Sequence, residues 1–361
     1  MAITNRNKIN LYSVRAWLII LFKYWTVAGT FLLVRQLFTN NEPSTSTIVV
    51  CLSLGIIGIW DNISTLFKQR TKPLNVSKVS KNFTNSQSFK DSEAQKTTIE
   101  NYSNIQLEIL ANLNDVQLAG ANLSEKYLSG ANLINANLKG AKLNCANLSD
   151  ANLQNADLSD AILIKANLSS IKLTQANLSN ANLANANLAN ANLNKANLAS
   201  AILSDANLSG ADIVNSNLNG AKLSNAYLWN ANLSDTELIN TDFSFAYMNS
   251  IKLKNANLNG AFLNNAQLSY AIFKDACLVN ANFYNAQLEF ASLENTNLCG
   301  ANLENACLSG ANLTGACLSG ANVKNTFFGY NQGISEEMKL DLIERGAIFK
   351  NQSFDISSYG G

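Results

Sequence analysis

The sequence predicts an all-β solenoid preceded by two membrane-spanning helices, and two observations lead to this prediction. From residue 111 to residue 330 the chain repeats every five residues, as in ANLSNANLANANLANANLNKANLAS at residues 176–200. Before the repeats, two mostly apolar stretches lie within the first 60 residues. The repeats predict the solenoid, and the apolar stretches predict the helices.

A five-residue period fits neither an α-helix nor a straight strand. On a helix, five residues advance by about 500°, so successive leucines would spiral around the axis. On a straight strand, an odd period sends successive leucines to opposite faces. The pattern is satisfied if the chain turns a corner in every repeat, so that Ala and Leu, two apart in a short extended segment, both point inward. A chain that turns at each repeat and keeps climbing forms a solenoid.

The repeat continues without insertion through 44 units. The central residue, at numbers ending in 3 or 8, is Leu in 37 units, and Ala stands two places earlier in 35 units. This regularity is far beyond that of an ordinary globular core, so the signal is specific. The other central residues are Ile213, Phe243, Met248, Phe273, Phe283, Val323 and Phe328.

Tandem A(N/D)LXX units resemble those of the pentapeptide-repeat proteins, over about three-fifths of the chain. The resemblance implies a right-handed quadrilateral β-helix, with four pentapeptides in each coil and the Leu side chains stacked inside. The 44 units then form about eleven coils, and a spacing of about 4.8 Å per coil gives a length of about 50 Å. We assign the regular β-helix to residues 131–330.

Both ends of the stack are expected to be covered, because a bare edge of parallel strands invites pairing with other chains. We assign residues 98–130 to an N-terminal cap and an irregular first coil, because Lys126 occupies an inward position. Residues 331–361 are assigned to a C-terminal cap with a short helix. The features that suit this cap are Ser335 before the helix, Glu336 and Glu337 in its first turn, Gly346 at its end, and Ile348 and Phe349 folded over the final coil.

Residues 1–67 are assigned to a transmembrane hairpin with spans at about 16–34 and 43–60. The first span contains Lys23 as its only charge, and the second contains none. At 1.5 Å per residue each span covers about 27–29 Å, close to the thickness of a bilayer's hydrocarbon core. The continuous apolar part of the second span is only residues 48–60, which leaves open whether it crosses fully.

Basic residues flank the two spans, whereas the loop between them has none apart from Arg35 at its edge. The positive-inside rule therefore places both termini in the cytoplasm, at a plasma or thylakoid membrane. A cleaved signal peptide is the alternative, but Lys23 interrupts its apolar core and no A-x-A site follows. The polar residues 68–97 are expected to form a flexible linker. The flanking basic residues are Arg6, Lys8, Arg15, Lys68, Arg70, Lys72, Lys78 and Lys81.

The composition argues against catalysis and metal binding. The chain contains no His, and its six Cys residues form no CxxC pair. We interpret the cysteines as small fillers in a reducing compartment. No Gly-rich phosphate loop interrupts the repeats, and the walls of a solid rod offer no concave pocket. We therefore expect no catalytic residues, no metal and no cofactor.

The resemblance also implies an alternative function, since some pentapeptide-repeat proteins mimic duplex DNA and bind a topoisomerase. Such mimicry needs a strongly acidic surface. Residues 111–330 contain 14 acidic and 11 basic side chains, a net charge of only −3, and no side of the predicted β-helix carries an acidic stripe. Nucleic acid is not expected as a partner.

The outward aromatic residues are confined to two adjacent sides of the predicted β-helix. With the sides numbered 0 to 3 from residue 111, five residues each, eight lie on side 3 and three on side 2. These residues are Tyr127, Tyr227, Trp229, Phe245, Tyr247, Phe262, Tyr270, Tyr284, Phe290, Phe327 and Tyr330.

An exposed aromatic surface with few charges commonly marks a contact. We therefore predict a membrane-anchored scaffold or adaptor, similar to Asn-rich repeat proteins of cyanobacteria, that contacts a protein partner, a second copy or the membrane through this edge. The alternative is that stacked aromatics only stabilise the ladder. The residues assigned to partner binding are Tyr227, Trp229, Phe245, Tyr247, Phe262, Tyr270, Tyr284 and Phe290.

Overall fold

The computed structural model describes residues 112–349. The predicted transmembrane spans at 16–34 and 43–60, and the predicted linker at 68–97, lie outside the described residues. Within residues 112–349, no helix has the length and apolar character needed to cross a membrane.

The repeats form a solenoid in which the second residue of each unit, at numbers ending in 2 or 7, forms a parallel bridge with the residue twenty positions later. In a typical pair of coils, the Leu183 amide donates a hydrogen bond to the Ile202 carbonyl at 2.7 Å. Since four five-residue units separate paired residues, each coil has four sides, as the resemblance implies. The first bridge joins Asn112 to Asn132, and the last joins Asn312 to Gln332.

The five positions of a unit are numbered from its first residue, so position 1 falls at numbers ending in 1 or 6. The core consists of the inward residues at position 1 and at position 3, the central residue. The central residues from Leu113 to Phe328 are all buried. Two of the larger central side chains pack against each other: the rings of Phe273 and Phe283 meet edge to face, with centroids 6.1 Å apart. Where Thr replaces Ala at position 1, its hydroxyl is satisfied within the core, as in Thr241 Oγ1, which donates to the Leu218 carbonyl at 2.8 Å.

The fifth residue of every unit, at numbers ending in 5 or 0, has a left-handed backbone. All 44 of these residues, from Asp115 to Tyr330, have φ between +55° and +73°. Glycine adopts this conformation freely and Asn and Asp visit it readily, whereas other residues meet a cost of about 1–2 kcal/mol. The corner turn therefore explains the many Asn, Asp and Gly residues at a position that the five-residue pattern alone leaves unspecified.

The described part of the first coil, residues 112–130, is regular, whereas the sequence predicts an irregular first coil. The N-terminal cap predicted before this coil lies outside the described residues. Lys126 is only half-buried, and its backbone keeps the ladder: its carbonyl accepts from the Asn147 amide at 2.9 Å. The ladder is made by backbone groups, so a lysine at an inward position does not interrupt it. A long aliphatic side chain can also leave its charged end in water.

The last unit contains a short strand, β1 (Phe327–Phe328). A short helix, α1 (Glu336–Glu344), and a second short strand, β2 (Ile348–Phe349), follow it. Helix α1 begins after Ser335, whose hydroxyl accepts a hydrogen bond from the Met338 amide at 3.1 Å. The chain then reverses at Gly346, where φ is +90°. These are the capping positions expected from the sequence.

The C-terminal segment is fastened to the last coil by strand pairing, ring stacking and hydrogen bonds. Strand β2 pairs in parallel with β1, and the Phe349 ring stacks on Phe328 with centroids 5.1 Å apart. The Arg345 guanidinium donates to the carbonyls of Leu318 and Ala321, each at 3.1 Å. The strand edge at this end of the solenoid is therefore covered rather than open.

Candidate protein-interaction surface

The eight residues assigned to partner binding, here called the aromatic edge, all point outward from sides 2 and 3. Seven of them are between 41% and 59% exposed, and Tyr247 is half-buried. Because every coil holds twenty residues, side chains twenty positions apart stand directly above one another. This spacing brings the aromatic edge together from separate coils. Tyr127, Phe327 and Tyr330 are exposed on side 3 as well.

One cluster of the aromatic edge consists of Tyr227, Trp229 and Tyr247. The two tyrosines occupy position 2 of paired coils, and their rings stack with centroids 4.8 Å apart and planes 4° apart. Trp229 meets both rings edge to face, at 6.1 Å and 6.4 Å. The stacking distance matches the spacing of adjacent coils, so the solenoid itself sets this geometry.

A second cluster is the stacked pair of Tyr270 and Phe290, both at position 5. Their centroids lie 5.2 Å apart, and their planes differ by 13°. The Phe290 ring lies over Gly310 in the next coil, where an added Cβ would approach Phe290 Cδ1 to 2.5 Å. Gly310 therefore provides the space that the ring occupies.

Four aromatic residues stand at position 5 with a left-handed backbone: Phe245, Tyr270, Phe290 and Tyr330, with φ of 60°, 62°, 59° and 56°. Large side chains are rare in this conformation. The same four are among the most exposed aromatics of the described chain, at 53% to 59%. Neither burial nor backbone preference explains why aromatic residues occupy these corners.

A shallow depression of about 460 Å³ lies beside the second cluster on side 3. Within it, Ser269 Oγ donates to Glu289 Oε2 at 3.0 Å, and the Ser269 amide donates to Asn249 Oδ1 at 3.1 Å. The depression thus combines one aromatic wall with amides and a single carboxylate. Its lining residues are Asn249, Gln267, Ser269, Tyr270, Gln287 and Glu289.

The charges of the repeat region lie mainly away from side 3. On side 0, Lys274 Nζ pairs with Glu294 Oε1 at 2.9 Å, and this hydrogen bond raises the pKa of Lys274. On side 3, residues 226–330 carry one charged side chain, Glu289. Among residues 112–349, no three His, Cys, Asp or Glu side chains are grouped so as to hold a metal ion.

The sequence analysis did not predict the proximity of Cys299 and Cys317, which it interpreted as small fillers. The structure places the two thiols near each other on side 1, where interaction with the Cys317 thiol raises the pKa of Cys299 and interaction with the Cys299 thiol lowers the pKa of Cys317. Their separation of eighteen residues is the available signal, because it places position 4 of one coil beside position 2 of the next. The same separation joins Cys277 Sγ to Asn259 Oδ1 at 3.0 Å.

Comparison with known proteins agrees with this architecture. The family model described as Pentapeptide repeats matches in eight copies, over segments that run from residue 111 to residue 320. No curated protein matches the chain. The chain is similar to the crystal structure of HetL, a pentapeptide repeat protein involved in heterocyst differentiation regulation from the cyanobacterium Nostoc sp. strain PCC 7120. The two are 33% identical, the match covers 60% of this chain and 89% of HetL, and the TM-score is 0.25.

Two other solved structures are similar to the chain. A trypsin-treated form of QnrB1, a plasmid-mediated fluoroquinolone resistance protein, is 19% identical, with 51% of this chain and 94% of that chain covered and a TM-score of 0.29. A pentapeptide repeat protein from the Arabidopsis thaliana thylakoid lumen is 25% identical, with 32% and 74% covered and a TM-score of 0.15. Since the family model matches more than half of the 361 residues, the chain belongs to the pentapeptide-repeat family.

Proposed function

We propose that this chain is a non-enzymatic, membrane-anchored scaffold or adaptor that binds a protein through the aromatic edge. In this proposal, residues 1–67 form a transmembrane hairpin, and a β-helix of about eleven coils lies in the cytoplasm at a plasma or thylakoid membrane. The apolar stretches and the distribution of basic residues around them support the anchor. The binding role is supported by the surface of the β-helix.

The observation that carries the binding role is the placement of aromatic residues at left-handed corners. At Tyr270 and Phe290, Asn or Gly would suit the backbone better, as these residues do at most other corners. Both rings are more than half exposed, so their burial in the fold contributes little. The left-handed backbone at these two aromatic residues lowers the stability of the fold, and their rings point outward. A contact with another molecule would account for their presence.

The composition of the aromatic edge fits a protein partner. Tyr and Trp are the residues whose truncation most often weakens an interface, because they bury large areas and lose few rotamers. The depression beside Tyr270 offers a ring face and the Glu289 carboxylate together. This combination suits a Lys or Arg side chain, through a cation–π contact and a charge-assisted hydrogen bond.

The same chemistry argues against the two other surfaces considered from the sequence. A second copy would present the same side 3, and the side-3 units between residues 226 and 330 contain no Lys or Arg that could meet Glu289. A lipid bilayer would have to desolvate the Glu289 carboxylate and the neighbouring amides of Gln267 and Gln287, which is unfavourable. We therefore favour a different protein with an apolar surface and a basic side chain.

The test is photo-crosslinking in native membranes with the full-length chain. Every protein compared carries a photoreactive residue in place of Phe262, which belongs to the aromatic edge. The edge variant also carries Tyr270→Asn with Phe290→Asn. The matched control is Gln175→Asn with Ser200→Asn, which introduces the same residue at exposed left-handed corners on sides 0 and 1. We expect one discrete crosslinked protein, lost at least about tenfold in the edge variant and kept in the control. Equal crosslinking in both variants would contradict the proposal.

The alternative, inhibition or modulation of a topoisomerase by DNA mimicry, requires a strongly negative field. Residues 111–330 carry 14 acidic against 11 basic side chains, and part of this charge is paired, as in Lys274–Glu294. No feature of the described surface favours this function over protein binding through the aromatic edge.

A further inference from the structure

The depression on side 3 contains two glutamine side chains whose amide groups have no hydrogen-bond partner among residues 112–349. Gln267 and Gln287 occupy position 2 of paired coils, about 4.8 Å apart. Where this position of side 3 is Asn instead, the side-chain amides bond to one another, as at Asn207, whose Nδ2 donates to Asn187 Oδ1 at 3.3 Å. The amides of Gln267 and Gln287 are therefore open to a ligand.

Two backbone amides in the depression, those of Asn249 and Glu289, also have no acceptor in the described part of the chain. In a unit with Asn at position 2, the Asn side chain accepts a hydrogen bond from the backbone amide at position 4, at 3.0 Å in the unit of Asn207. Position 2 is Tyr247 in one of the two units and Gln287 in the other, and neither side chain forms this hydrogen bond. The depression therefore offers two backbone donors in addition to the glutamine amides.

Glu289 supplies the one carboxylate that lines the depression. Its Oε2 accepts a hydrogen bond from Ser269 Oγ at 3.0 Å, whereas Oε1 has no partner within the described residues. The exposed ring of Tyr270 lies in the same wall. An arginine side chain suits this pair of groups, because its planar guanidinium stacks on an aromatic ring and donates hydrogen bonds in fixed directions.

The length of the depression fits a short piece of extended chain. Asn249 and Glu289 stand at the same position of coils two apart, which is about 10 Å, and extended chain rises about 3.3 Å per residue. A glutamine amide carries the same donor and acceptor groups as a peptide unit, so the two can exchange a pair of hydrogen bonds. Within a helix, the backbone groups are already bonded to one another except at the ends. An extended segment therefore matches the open amides, and a helix does not.

We propose that the depression binds an extended segment of about three residues of the partner protein, with an arginine at its centre. This inference rests on the proposed function, because it specifies what the partner presents to the aromatic edge. Gln267 and Gln287 pair with peptide units of the segment, and the backbone amides of Asn249 and Glu289 donate to its carbonyls. The arginine contacts the Tyr270 ring and the Glu289 carboxylate.

A neutral oligosaccharide is the other class of ligand that combines hydroxyl groups for the amides with apolar faces for the rings. It carries no positive charge to meet the Glu289 carboxylate. The side-3 units between residues 226 and 330 contain no Lys or Arg that could meet it either. The unpaired carboxylate therefore favours a basic peptide over a neutral sugar.

The test uses the full-length chain in detergent and a displayed library of short random peptides. We expect the selected peptides to share an arginine, and a synthetic copy with blocked ends then serves as the probe. Gln267→Met with Gln287→Met removes both amides and keeps the length of the side chains, so it should weaken binding of the probe at least about tenfold. Gln154→Met is the matched control, exposed on side 0, and should bind the probe as the original chain does.

The arginine contact is tested with a second probe, in which citrulline, a neutral residue of the same shape, replaces the arginine. Citrulline should weaken binding at least about tenfold, because a hydrogen bond between two charged groups is lost. Glu289→Gln should weaken binding of the arginine probe and leave the citrulline probe unchanged. Failure to select any peptide, selected peptides without a basic residue, or equal binding to the double Met variant would overturn the inference. Binding of cellohexaose in place of peptides would favour an oligosaccharide and overturn it too.

The native partner separates this inference from the proposed function. A crosslinked protein that is lost in the Tyr270→Asn, Phe290→Asn variant and kept in the Gln267→Met, Gln287→Met variant would leave the proposed function standing and overturn the inference. Loss of the crosslinked protein in both variants, with retention in Gln154→Met, would support the inference. Absence of any crosslinked protein would overturn the proposed function, and the inference with it.

Discussion

Replacing Tyr270 and Phe290 together by Asn separates a role in folding from a role in binding. Each aromatic residue meets a cost of about 1–2 kcal/mol for its left-handed backbone, most of which Asn avoids. Against this gain stands the loss of one stacked ring pair, which contributes about 0.5–1.5 kcal/mol. The rings are more than half exposed, so little further apolar burial is lost. We expect the double variant to be as stable as the original chain or up to about 2 kcal/mol more stable.

The structure shows how Asn fits at these corners. At position 5 of two successive coils on side 2, Asn285 Nδ2 donates to Asn265 Oδ1 at 2.7 Å. The Tyr270→Asn and Phe290→Asn side chains would form the same contact. The Asn190 side chain also lies over Gly210, with Oδ1 2.6 Å from the site of an added Cβ, just as Phe290 lies over Gly310. The variant therefore reproduces arrangements that the solenoid already uses.

The assay is hydrogen exchange of the full-length chain, read at the amides of residues 250–310. Leu203→Asp serves as the destabilising reference, because Leu203 is fully buried and truncation of such a Leu alone costs about 2–5 kcal/mol. An unpaired buried carboxylate adds to that cost, so protection around residue 203 should be lost. If the edge variant loses more than about 2 kcal/mol of protection, the rings serve the fold and the reasoning behind the binding surface fails.

Two further predictions concern attachment and charge, and one concerns Gly310. If residues 16–60 form a hairpin, the chain should resist carbonate extraction and a reporter fused at Gly361 should be cytoplasmic; a carbonate-soluble chain, or a reporter accessible from outside, would refute the anchor. Because the repeats lack a dominant negative field, the purified chain should not inhibit topoisomerase supercoiling at micromolar concentration, and potent, salt-sensitive inhibition would favour DNA mimicry. Gly310→Ala should displace the Phe290 ring and destabilise the chain by about 1–3 kcal/mol in chemical unfolding, because φ is +72° and the added Cβ meets the ring; unchanged stability would contradict this packing.

The core was predictable from the five-residue period, and the four sides were predictable from the resemblance to the pentapeptide-repeat family. Once Leu and Ala are placed inward every five residues, the coil length of twenty residues places Tyr227 beneath Tyr247 and Tyr270 beneath Phe290. The left-handed corners were harder to predict, although the Asn, Asp and Gly residues there are their signal. Those residues also suit an ordinary polar turn, and only the closed coil shows that every corner has the same backbone.

Two features were not foreseen from the sequence, and both concern how neighbouring coils contact each other. Cys299 and Cys317 are diagonal neighbours at a separation of eighteen residues, whereas side chains that stand directly above one another are twenty residues apart. Lys126 shows the converse case, in which an unfavourable residue at an inward position leaves the backbone ladder intact. In both cases, side chains had to be placed before the outcome could be known.

Outward side chains of the solenoid can differ in type without any change in the backbone hydrogen bonds, and this independence bears on the proposed binding surface. Along one column of side 3, position 2 is Asn at residue 207, Tyr at residue 227 and Tyr at residue 247. The ladder hydrogen bonds to these three residues, from Leu188, Leu208 and Leu228, are 2.6, 2.7 and 2.7 Å long. Since the backbone accepts Asn and Tyr equally, the fold does not require aromatic residues there. Their concentration on sides 2 and 3 between residues 227 and 330, with a left-handed backbone at four of them, is the observation on which the proposed partner-binding surface rests.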